Sequence, residues 1–146
     1  MTFVTSQDGT RIAYDTIGSG PAVIVIGGGP VDRTTESPLA ALLAEHFTVY
    51  TYDRRGRGET VDTAAYSVDR EFDDLQALIT EAGGSAMVYG TSGGAMIAIQ
   101  AAARGLPITK LALWEVPTFC PVPASPSPPT TATSSTPYAP KAASAT

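Results

Sequence analysis

The sequence predicts an α/β fold: a mostly parallel sheet of about six strands with helices on its faces. Three observations carry that expectation. Short aliphatic runs alternate with helical stripes along residues 1–119, the run at residues 22–26 is apolar without interruption, and 43% apolar content over 146 residues suits one globular domain. A continuous aliphatic run fits a strand buried on both faces, and strands alternating with helices join into parallel sheets.

Taken in order, residues 3–6 and 12–17 flank Asp8-Gly9 and read as a β-hairpin. The aliphatic strand at residues 22–26 is stopped by Gly27-Gly28-Gly29. Ser37 is expected to cap a helix with Pro38 at its first position and Leu39, Leu42 and Leu43 on one stripe. Residues 47–52 form the next strand, and residues 68–81 a helix burying Phe72, Leu75, Leu78 and Ile79. A strand at residues 86–89, an Ala-rich helix at residues 93–104 and a last short strand at residues 111–114 complete the pattern.

Composition excludes several classes of function. A structural zinc site needs about four Cys or His ligands and a disulfide needs two thiols, so the lone His46 and lone Cys120 supply neither. No metal site or cofactor is expected. The net charge is −5 and the arginines are scattered apart from one cluster, which leaves no basic face for nucleic acid or an anionic membrane. The polar N-terminal residues carry no apolar leader, and no aliphatic run approaches the roughly 20 residues of a membrane span, so a cytoplasmic protein is expected.

The composition breaks sharply near position 120. All fourteen acidic residues and eight of the nine basic ones precede position 116, whereas 23 of the 26 residues at 121–146 are Pro, Ala, Ser or Thr. With only Val122 and Tyr138 as sizeable apolar groups, such a segment cannot offset an ordering entropy of about 1–2 kcal/mol per residue. Residues 1–119 are therefore read as the folded part and residues 120–146 as a disordered tail, with a polyproline ligand for a partner domain as the alternative.

One motif carries chemistry. Gly90-Thr91-Ser92-Gly93-Gly94 is a G-x-S-x-G between a strand and an Ala-rich helix. That context suits a nucleophile elbow, in which a tight turn holds the serine in strained geometry and flanking glycines remove Cβ atoms that would collide. The hydroxyl of Ser92 is then exposed at the carboxyl end of the sheet, and the following helix turns its free N–H groups toward a developing oxyanion. The same string is also compatible with a Gly-rich turn carrying a serine cap. The Gly27–Gly29 segment ends the strand expected beside the elbow, so the Gly29 amide is the candidate second oxyanion donor with Gly93; a flexible loop is the alternative.

Asp8-Gly9-Thr10-Arg11-Ile12, the strand with its Gly triplet, Tyr52-Asp53-Arg54-Arg55-Gly56-Arg57-Gly58-Glu59-Thr60, the elbow, and Leu111-Ala112-Leu113-Trp114-Glu115 together resemble the N-terminal half of a small α/β-hydrolase. The resemblance covers about residues 5–117. It implies a Ser, Asp, His triad in that order with Ser92 as nucleophile, carboxylic esters or related small-molecule acyl substrates, and no cofactor.

The resemblance also demands groups that the sequence lacks. No histidine follows Ser92, and His46 precedes a strand, at the amino end of a parallel sheet and away from the elbow. Removing a triad member typically leaves only roughly 10³–10⁴-fold residual catalysis. Glu115, at the end of the last strand, is a possible acid, or simply a loop carboxylate at the edge of the site. The resemblance implies further strands after Trp114; the low-complexity tail in their place leads to the expectation of a truncated or frameshifted product with an exposed sheet edge.

Two readings compete with the hydrolase. A non-catalytic binder or inert fragment would use the same pocket without chemistry. A dinucleotide unit is suggested by the strand, glycines and Asp53, but the third glycine is missing and the helix starts too late to meet a pyrophosphate. The arginine cluster after Tyr52 is read as structural, with Asp53 bonding the loop backbone and the arginines pairing with nearby carboxylates.

Overall fold

The computed structural model describes residues 1–61 and 65–118. Along the chain come β1 (Thr2–Thr5), β2 (Arg11–Gly18), β3 (Ala22–Ile26), a 3₁₀ turn (Arg33–Glu36), α1 (Ser37–Leu43), β4 (Thr48–Tyr52), α2 (Val68–Glu81), β5 (Ala86–Thr91), α3 (Gly93–Ala103) and β6 (Ile108–Trp114). The expectations for residues 119–146, the tail included, lie outside the described residues.

The six strands form one sheet in the order β1-β2-β4-β3-β5-β6. The β1–β2 hairpin and the β2–β4 pair are antiparallel, and β4, β3, β5 and β6 run parallel. The chain leaves β3 toward β4 on one side and leaves β5 toward β6 on the other. The crevice between the carboxyl ends of β3 and β5 is therefore the point where the connections diverge, the position at which open α/β sheets bind ligands.

Strand alternation divides the core into two layers. Ile24 and Ile26 of β3 join Phe72, Leu75, Leu78 and Ile79 of α2 and Ile97, Ala98 and Ala101 of α3 on one face. Val23 and Val25 face the other way, with Ala40 of α1 and Val49 of β4. The stripe expected on α2 is present: Leu75, Leu78 and Ile79 are fully buried, each contributing about 1.5–3 kcal/mol.

Helix α1 departs from expectation. Ser37 is its first residue rather than its cap, and the capping position belongs to Glu36, which makes no side-chain cap bond. Upstream, Asp32 caps the 3₁₀ turn by accepting from the Thr34 backbone N–H at 2.9 Å, so the donors that a Ser37 cap would have satisfied are already inside a helical segment. Pro38 does sit in the first turn. The stripe is also rotated, with Ala40 buried, Leu39 and Leu43 half-buried, and Leu42 exposed. Small Ala40 is the residue that faces the sheet across Val49, which turns Leu42 to solvent.

Two buried carboxylates share the inner face of α2 with its apolar stripe. Glu71 accepts from Arg54 and Asp74 from Arg55, both on the loop after β4. Arg55 also donates to Asp8, tying the hairpin turn to the same loop. The structural reading of the arginine cluster is thereby met, and Asp53 accepts from the backbone N–H groups of Arg33 and Glu59. At the far edge β6 pairs only with β5 among the described strands, and Leu111, Leu113 and Trp114 are exposed, as expected of an open sheet edge.

Candidate active site

The turn from β5 into α3 holds Ser92 at φ 49° and ψ −117°. Positive φ in a side-chain-bearing residue costs about 1–3 kcal/mol and persists only where its surroundings impose it. Here they do. A Cβ on Gly94 would stand 2.2 Å from the Ile26 carbonyl oxygen, and one on Gly90 2.8 Å from the Ala95 Cα. The turn is thus packed so closely on β3 and on its own helix that only glycine fits at both flanks.

From the β3 side, Gly28 presses against the serine: a Cβ there would lie 3.0 Å from the Ser92 Cβ. Gly29 follows at φ 35° and is exposed. Its backbone nitrogen lies 4.0 Å from the point where a Cβ on Gly93 would stand. The three residues singled out as nucleophile and donors, Ser92, Gly29 and Gly93, are therefore brought together at the diverging crevice. Ser92 itself is half-buried.

Glu115 also arrives at this edge. The Ser92 backbone N–H donates to the Trp114 carbonyl at 2.9 Å, and Glu115 follows at φ 51°, exposed. Tyr89 on β5 is pushed above the ordinary phenol range by burial first and then by the negative charges of Glu36 and Glu115. Glu36, half-buried with its side chain 3.8 Å from the Cβ position of Gly27, is itself raised by burial. His46 stands elsewhere, exposed before β4 at the amino end of the parallel strands.

Two residues near the elbow were not singled out as functional from the sequence. Glu36 ends the 3₁₀ turn, in a stretch that carries no sequence motif. Arg54 belongs to a cluster whose sequence signals only a structural role, and its position depends on a carboxylate 17 residues further along, a tertiary pairing that no local pattern signals. Among the described residues no group of three or more His, Cys, Asp or Glu is placed to hold a metal ion, and no helix is long and apolar enough to cross a membrane.

Comparison with known proteins agrees with the fold. The alpha/beta hydrolase family matches residues 23–145, and the chain belongs to that family. An α/β-hydrolase from Sphaerobacter thermophilus is 53% identical, with a TM-score of 0.78 over 80% of this chain and 45% of its own. An esterase from Exiguobacterium antarcticum is 26% identical, with a TM-score of 0.71 over 77% of this chain and 44% of its own. The hydrolase YraK of Bacillus subtilis is 34% identical over 100 residues, which is 66% of this chain and 37% of YraK. The chain thus spans less than half the length of these relatives.

Proposed function

We propose that the chain carries the nucleophile half of a serine hydrolase acting on carboxylic esters or related small acyl compounds. Ser92 Oγ adds to the acyl carbon, and the carbonyl π pair becomes a lone pair on oxygen facing the Gly29 and Gly93 amides. Collapse of that anion expels the alcohol, and water then releases the acid from the acyl-serine. The hydroxyl proton must pass to a base other than His46, which stands at the opposite end of the sheet. Glu115 is the candidate acid. The similarity to an esterase supports the substrate class.

The observation that carries this reading is the strained backbone of Ser92, wedged against Gly28 beside two main-chain donors. Labelling by a fluorophosphonate probe tests it. Ser92 is expected to be modified slowly and Ser92→Ala not at all; folded, monomeric protein that stays unlabelled would overturn the reading. The remoteness of His46 favours one second reading for this chain, a non-catalytic binder built on the same pocket.

A further inference from the structure

The loop after β4 brings a buried cation to the elbow. The Arg54 side chain is only 8% exposed, and its Nε and Nη2 donate to the two carboxylate oxygens of Glu71 at 3.1 and 2.7 Å. A guanidinium is a rigid planar fork, so one that commits Nε and Nη2 to a carboxylate directs Nη1 away from it. Nη1 comes within 3.7 Å of the point where a Cβ on Gly93 would stand, the same point that the Gly29 nitrogen approaches at 4.0 Å. Among the described residues Nη1 bonds no acceptor.

Arg57 Nη1 lies 3.9 Å from the Glu71 carboxylate that Arg54 already engages, so two guanidiniums surround one carboxylate. Burial first and then the charge of Arg54 lower the Arg57 pKa, against the opposing pull of Glu71. A guanidinium N–H with two backbone N–H groups beside it favours an anionic oxygen.

We infer that Arg54 Nη1 is a third, charged donor in the pocket of the Gly29 and Gly93 amides, so that this site holds an anionic oxygen. This rests on the reading of Ser92 as nucleophile. During attack, the electron pair leaving the carbonyl π bond settles on the oxygen facing all three donors, and Nη1 keeps its proton throughout. The acid released by hydrolysis presents a carboxylate oxygen to the same donors, so the site retains its acid product better than a neutral ester.

Amide NMR of the full chain tests this with butanoate and its neutral isostere butanamide. Butanoate is expected to shift the Gly29 and Gly93 resonances and to bind about tenfold or more tighter than butanamide, the scale of a hydrogen bond to a charged group. Arg54→Met is expected to abolish the preference. Should that variant not fold, Gly93→Ala decides: its Cβ meets its neighbours at ordinary contact distances, so the spectrum is expected to persist while butanoate affinity falls about tenfold. Equal binding of acid and amide to the wild type, or undiminished butanoate binding by Gly93→Ala, overturns the inference. Fluorophosphonate labelling separates the two readings: a labelled Ser92 without carboxylate preference sinks only the role of Arg54, whereas carboxylate preference without labelling sinks the nucleophile.

Discussion

The backbone N–H of Ser92 donates to the carbonyl of Trp114 at 2.9 Å, across the parallel pairing of Thr91 with Trp114. The elbow is therefore held from both sides, by Gly28 after β3 and by the end of β6. This explains how a strained serine persists in a turn whose own sequence is mostly glycine. Trp114 performs this task through its main chain while its side chain remains 62% exposed.

The close approach of the elbow to β3 makes its glycines unequal. Gly94→Ala would drive a methyl group to 2.2 Å from the Ile26 oxygen, and Gly90→Ala one to 2.7 Å from the Gly94 oxygen. Each is expected to destabilise the fold by about 3 kcal/mol. Gly93→Ala, with space around its Cβ, is expected to cost less than about 1 kcal/mol. Urea denaturation followed by circular dichroism ranks the three; a Gly94→Ala midpoint equal to the wild type would refute the packing argument.

Arg55 links three parts of the chain. Its Nε and Nη2 each donate to Asp74 at 2.7 Å, and its Nη1 donates to Asp8 at 2.7 Å. Arg55→Met would leave the fully buried Asp74 carboxylate without this partner, and a loss of about 3–5 kcal/mol is expected. The pair of Arg104 with Asp69 is solvated on both sides, and Arg104→Met is expected to shift the thermal midpoint far less. Comparable shifts for the two variants would count against the buried network.

Acid sensitivity follows from Asp8. Hydrogen bonding from Arg55 outweighs burial and, with help from the Thr10 backbone, holds its carboxyl well below the ordinary carboxylate range. A carboxyl depressed in the folded state contributes stability that is complete above its unfolded pKa and is lost as pH falls through the folded value. Denaturant midpoints are therefore expected to decline below about pH 4, with a shallower decline for Asp8→Asn. Parallel declines for both proteins would show that Asp8 carries no such share.

Much of this architecture is legible from residue order. The aliphatic run of β3, the apolar stripe of α2 and the glycines around Ser92 are local patterns with one stable outcome each, and the chain forms all three. Helix α1 was harder, because the 3₁₀ turn begun at Asp32 competes with Ser37 for the start of the helix, and only packing of Ala40 on the sheet selects which leucine is exposed.

The chemistry of the elbow divides along the same line. Periodicity and turn composition suffice to specify a strand, a sharp serine turn and a helix, since hydrogen bonding and sterics between near neighbours dictate them. The meeting of Gly29 with Gly93 depends on sheet order, which the Gly triplet after the β3 run also signals: β5 lies on the far side of β3 from β4, and the two glycines come together there. What tertiary structure alone decides is the pairing of Arg54 with Glu71, which brings a guanidinium from another loop near Gly93. Contacts between segments tens of residues apart depend on how layers stack, and no stretch of local sequence encodes that.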